Sequence, residues 1–118
     1  MDQPQLYAES VPVAELAASW PLLEPFLAAV LPWTAGRHTL ESLRAGLEAG
    51  GFQAWLVRAE AGNQQGLLVT EIIRYPARKA CNLFLLAGNR AKALVGGLPI
   101  IEAWAREQGC DALELGGR

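Results

Sequence analysis

The sequence predicts an α+β domain spanning residues 1–118, with a mostly antiparallel sheet and helices on its faces. Three observations carry this. Apolar residues recur at helical spacing over residues 13–48. Beyond residue 51 the apolar period shortens to that of strands, in three segments separated by brief turns. The third of these segments leads into another helical stretch and one last short strand.

In chain order, residues 13–31, "VAELAASWPLLEPFLAAVL", place Leu16, Trp20, Leu23, Leu27 and Val30 near one face. Pro21 and Pro25 remove backbone donors, which predicts a kink or two short helices. "PWTAGRH" breaks the chain. Thr39 is a fair N-cap for "LESLRAGLEAG", where Leu40, Leu43 and Leu47 share a face and Gly50–Gly51 stop the helix. "FQAWLVRAE" (52–60), "LLVTEIIRY" (67–75) and "CNLFLLA" (81–87) read as strands, and the turns "AGNQQG" and "PARK" make them an antiparallel meander. Pro99 suits the first turn of a helix through "PIIEAWAREQG", with Ile101, Trp104 and Ala105 toward the sheet. Gly109 would close that helix, and "DALELGG" (111–117) would return as a strand parallel to its neighbour. The predicted order is α-α-β-β-β-α-β.

Composition narrows the classes of function. At 52% hydrophobic and 19% charged, the chain lies outside the disordered regime. A net charge of −2 with interspersed signs offers no field for nucleic acid. Pro21, Pro25, Pro32 and Arg58 interrupt the longest apolar runs, so no membrane span is expected, and "MDQPQLY" does not resemble a signal peptide. Cys81 and Cys110 lack any metal-ligand spacing and read as reduced thiols of a cytoplasmic protein. No metal site is expected.

The element order, with "LESLRAGLEAGGFQAWLV", "LLVTEIIRYPARKACNLFLLAG" and "LPIIEAWAREQGCDALELGGR" within residues 40–118, resembles the GNAT (Gcn5-related N-acetyltransferase) fold. It is more similar still to a group of small tailed-phage and prophage proteins with that fold. In catalytic members a loop of pattern Arg/Gln-x-x-Gly-x-Gly/Ala holds the coenzyme A pyrophosphate on its amides at a helix N-terminus. Here that place reads "NRAKALVGG". Arg90, Ala93 and Val95 occupy the three motif positions, and neither glycine position is filled by glycine. Gly96 and Gly97 follow, just before the expected helix, where they form a displaced anion site or only relax the start of the helix. The family fold continues with a helix and two strands where this chain stops at "GGR". The resemblance therefore implies a form lacking the C-terminal part, or a sheet completed by partners.

Acyl transfer to an amine needs a base. Glu71, sharing a strand face with Leu67, Val69, Ile73 and Tyr75, is the best-placed carboxylate; the alternative is an exposed charge paired with Arg74 or Arg78. His38 reads as a surface or capping residue, and "RYPARK" as a solvated hairpin tip. Trp55 and Trp104 read as core. Trp33 serves either packing or the anchoring of a partner or ligand, and Arg118 either binds an anion or a neighbouring subunit or frays. The resemblance and the altered loop together imply a phage-encoded protein of the bacterial cytoplasm or virion, without competent acetyl transfer. It would act through a protein partner or self-association, as a virion or assembly component with no cofactor, nucleic acid or membrane. The alternative is an acyl-CoA-dependent N-acyltransferase using acetyl-CoA, an atypical loop and Glu71.

Overall fold

The structure, a computed structural model, describes residues 6–59 and 63–116. Five strands form one sheet in the order of the chain: β1 (Leu6–Ser10), β2 (Phe52–Ala59), β3 (Gln64–Arg74), β4 (Lys79–Gly88) and β5 (Ala112–Leu115). Every neighbouring pair is antiparallel except β4 and β5. Helices α1 (Leu16–Val30) and α2 (Leu40–Glu48) cover one face, and α3 (Arg90–Glu107) covers the other. This is the α+β architecture expected, with a mostly antiparallel sheet between helical layers.

The sheet divides the core in two. Leu16, Trp20, Leu23 and Leu27 of α1 and Leu43 and Leu47 of α2 pack on Ala54, Leu56, Leu67, Val69, Leu85 and Ala87. Ala93, Ile101 and Ala105 of α3 pack on Trp55, Val57, Leu68, Cys81 and Leu83. Trp55 meets Trp104 edge-on at 5.3 Å between ring centroids. Trp55 also donates its indole N–H to Thr70 Oγ1 at 3.0 Å, and the Thr70 hydroxyl donates to Gln53 Oε1 at 2.9 Å. That chain satisfies the polar groups beneath α3, which left unpaired would cost about 1–3 kcal/mol each.

Three expectations are corrected. First, a strand precedes the helices. β1 runs antiparallel to β2 from Leu6↔Ala59 to Ser10↔Trp55. Only Leu6 and Ala8 turn toward the α3 layer, too few inward residues to produce an alternating signal. Second, α1 is one uninterrupted helix despite Pro21 and Pro25. Both prolines lie on its exposed side, so the carbonyls they leave unpaired, of Ala17 and Pro21, face water. With its flanking 3-10 turns it makes a 22-residue run, Val13–Thr34, apolar enough by length and composition to cross a membrane. Leu16, Trp20, Leu23 and Leu27 are instead buried against the sheet.

Third, α3 begins at Arg90, directly after the strand, and Pro99 lies inside it. Gly88, at φ +81°, turns the chain left-handed at the end of β4. Asn89 then caps the helix, its Oδ1 accepting from the Lys92 N–H at 3.1 Å. Gly96 and Gly97 therefore belong to the middle of a helix and not to a loop. A Cβ on Gly96 would stand 2.8 Å from Val57 Cγ1, and one on Gly97 2.8 Å from Leu68 Cδ1. The pair brings α3 close to β2 and β3. That close packing offsets a helix-propensity cost of about 1 kcal/mol per glycine.

Two tests follow from this packing. A Cβ at Gly88 would meet the backbone of Gln65 and Gly66 at 2.8 Å, whereas one at Gly50, also at positive φ, meets nothing. Gly50→Ala should lower stability by about 1 kcal/mol and Gly88→Ala by about 3, read as urea midpoints at constant slope. Burial, with the neighbouring Cys110 sulfur, pushes the Cys81 thiol from 9.0 to about 11, against a smaller lowering by the Thr70 hydroxyl. Between those values the folded chain keeps a proton that the unfolded chain has lost. The resulting stabilisation is complete below pH 9 and disappears as pH rises through 11. Urea midpoints from pH 8 to 11 should fall less steeply for Cys81→Ala than for the parent.

Candidate functional site

β4 is paired along its whole length with β3, but with β5 only from Ala80↔Ala112 to Leu83↔Leu115. The Gly116 N–H closes this short ladder on Leu83 O at 2.7 Å. From Phe84 to Gly88 the outer edge of β4 has no strand beside it among the described residues. A bulge lies at the same point. Val69 faces Leu85 and Thr70 faces Leu83, so Phe84 is the extra residue. Phe84 and Leu85 consequently both point to the α1–α2 side, while Leu83 and Leu86 lie on the α3 side.

Two chambers open where the strands part. The first, about 510 Å³, is floored by Leu83–Gly88, walled by Ala29, Val30 and Trp33 on one side and Arg90 and Leu94 on the other, and closed by Leu115 and Gly116. The second, about 500 Å³, is lined by Thr34, Arg37, His38, Phe52 and Glu71 and shares Trp33, Phe84, Leu85 and Gly116 with the first. The two form one groove that passes under Trp33, which is 84% exposed.

Backbone geometry sets the second chamber. Leu31–Thr34 forms a 3-10 turn, and Ala35 and Gly36 follow with φ of +54° and +78°. The Arg37 N–H donates to Thr34 O at 3.1 Å, and the reversal brings Arg37 and His38 into the chamber wall. His38 packs against Phe52 (5.8 Å between centroids) and Phe84 (5.5 Å), which are themselves 4.9 Å apart. On the floor, Asn82 Nδ2 donates to Glu71 Oε2 at 3.3 Å across the β3–β4 pair. Asn82 is fully buried, and its Oδ1 has no partner among the described residues. That orphan costs about 1–3 kcal/mol in return for fixing the Glu71 carboxylate.

The residues singled out from sequence divide sharply. Glu71 lies in the second chamber, and Arg90 at the mouth of the first. Ala93 is buried beneath the sheet, its Cβ 2.7 Å from where Gly66 would carry one, and its N–H is bonded to Asn89 O. Val95 is 72% exposed on the outer side of α3. Gly96 and Gly97 have helical amides and cannot form a displaced anion site. The N–H groups left to meet an anion there are those of Arg90 and Ala91, since Lys92 donates to Asn89 Oδ1. "RYPARK" is an exposed tip up to Arg78, as expected, whereas Lys79 reaches the Gln108 carbonyl. His38 is no surface cap: Thr39 performs that role with Ser42. Arg118 lies outside the described residues. Phe84 and Asn82 escaped the sequence reading because "CNLFLLA" is apolar almost throughout and a bulge in such a run leaves no break in period, and Arg37 because only the turn at Ala35 and Gly36 brings it to the chamber.

Several solved structures with this architecture are acetyltransferases. An aminoglycoside acetyltransferase from an uncultured soil metagenomic sample superposes with a TM-score of 0.67 at 19% identity, over 97% of this chain and 80% of that one. The ribosomal-protein-alanine N-acetyltransferase of Brucella melitensis biovar Abortus gives 0.67 at 16%, over 97% and 81%. The chain thus has the GNAT acetyltransferase fold. The sequence matches no protein-family model and no curated protein.

If Trp33 faces a ligand and not the core, Trp33→Ala should change stability by less than about 0.5 kcal/mol, whereas Phe84→Ala should cost about 2 or more. Urea unfolding of the two variants measures both.

Proposed function

We propose that the chain is an acyl-CoA-dependent N-acyltransferase with an atypical phosphate anchor. The observation that carries this is the cleft where β5 leaves β4, opening directly into a chamber that holds a carboxylate. The unpaired edge of β4 offers an extended, amide-bearing chain the hydrogen bonds of a missing strand. The apolar wall of Ala29, Val30, Leu86 and Leu94 excludes water beside it. Arg90 and the free amides of the first turn of α3 meet the diphosphate at the mouth. Bound acyl-CoA supplies a thioester at which the amine nitrogen forms a C–N bond as the C–S bond breaks, the proton lost by nitrogen ending on the thiol. Glu71, held by Asn82, takes a different proton, the one the incoming ammonium sheds before attack to become a neutral amine, directly or through water, and passes it to solvent.

A second reading keeps the fold without the transfer, as a protein-binding component of a phage particle in a bacterial host. Its support is the loop: Ala93 and Val95 stand where the resemblance expects glycines, and the Ala93 amide is occupied. An exposed Leu115 on the outermost described strand adds a surface for a partner or a second copy.

Calorimetric titration with acetyl-CoA separates the two. Under the enzyme reading it binds in the micromolar to low-millimolar range. Ala29→Trp, which fills the cleft from the exposed side of α1, abolishes binding, and Arg90→Glu weakens it about tenfold or more. Absence of heat at millimolar acetyl-CoA, with a stable oligomer on gel filtration, would overturn the enzyme reading in favour of the second.

A further inference from the structure

We infer that the second chamber takes as acceptor a small zwitterion with one amine, one carboxylate and an apolar or aromatic body, that is, an apolar amino acid. The inference rests on the acyltransferase reading for the reaction but concerns recognition, which can be measured without any donor. Among the described residues the chamber's ionisable side chains are Arg37, His38 and Glu71, with a single carboxylate between them. A polycation seated there would leave its further ammonium groups desolvated and unpaired, at a cost of several kcal/mol for each such charge. One ammonium, by contrast, is met by Glu71 on the floor, whose Oε2 is oriented by Asn82.

Arg37 supplies the second determinant. It is exposed at the rim of the same chamber, on a turn fixed by Ala35 and Gly36. A guanidinium pairs with a carboxylate through two parallel hydrogen bonds. An acceptor lacking an anionic group forgoes that contact. The third determinant is the aromatic wall. Phe52 and Phe84 stand 4.9 Å apart with His38 against both, and Trp33 covers the opening. About 500 Å³ lies within the range of small-molecule sites and exceeds what a bare amine needs. In the reaction such an acceptor exchanges one N–H hydrogen for the acyl group of acyl-CoA, and the released thiol carries that hydrogen.

Calorimetry on the full chain, with phenylalanine, phenethylamine and spermidine as probes and no donor present, tests this. Phenylalanine should bind at least tenfold more tightly than either of the others. Arg37→Gln should remove the advantage over phenethylamine, Arg37→Lys should restore part of it, and Glu71→Gln should weaken both amines. Spermidine binding as tight as phenylalanine, or an Arg37→Gln variant that keeps full preference for phenylalanine, overturns the inference. The two readings fail separately. Phenylalanine bound without acetyl-CoA binding removes the enzyme reading alone, and acetyl-CoA bound without preference for phenylalanine removes the acceptor alone.

Discussion

The architecture depends on one unequal pairing: among the described residues, β4 has a partner along its full length on one side and along only its first half on the other. A strand so placed must satisfy its remaining outer N–H and C=O groups with water or a ligand. The bulge sits at the transition. It places Phe84 and Leu85 on the same face and so gives the groove its aromatic floor. α1 and the turn after it form one wall, and the start of α3 forms the other. A straight, fully paired β4 would remove the chambers while leaving the rest of the core in place.

Most of the layered fold was legible in the sequence, because its elements bury whole faces. α2 announces itself through Thr39, the Leu40–Leu43–Leu47 stripe and the glycines beyond it, and the structure adds a reciprocal Thr39–Ser42 cap. The meander was read from β-branched and aromatic runs, and the parallel return of β5 from the helix between strands. The features that stayed hidden have local causes. β1 turns two side chains inward, below the threshold of any periodic signal. The prolines of α1 read as breakers and Pro99 as the start of a helix, yet each occupies an exposed position inside a helix, where a lost donor is replaced by water.

The site was less legible, and for a different reason. Glu71 was visible because successive β3 side chains turn to opposite faces, Leu67 and Val69 toward α1 and α2 and Leu68 toward α3. Its neighbours in space come from distant parts of the chain: Arg37 and His38 from a turn, Phe52 from the start of β2, Phe84 from a bulge. Nothing in the spacing of those residues links them. The glycines misled in the opposite direction. "VGG" resembles a phosphate loop in composition, but both glycines lie on the sheet side of α3, where the helix could not otherwise approach Val57 and Leu68.

That relocation has a chemical consequence for the groove. A phosphate loop draws affinity from several convergent amides, and α3, by starting immediately after Gly88, leaves two such amides and the Arg90 side chain. Binding energy from a remote phosphate is what anchors a long donor while its reactive end is aligned. Under the proposed acyltransferase reading, that reduced anchor leaves alignment of the donor to the β4 edge from Phe84 to Gly88 and the apolar wall beside it. On the same reading the second chamber carries correspondingly more of the positioning. Its carboxylate is clamped by a buried amide whose own oxygen goes unsatisfied, and its aromatic rings are locked against one another. Under the proposed acyltransferase reading, this α3 leaves the donor cleft lightly anchored and shifts positioning to the second chamber.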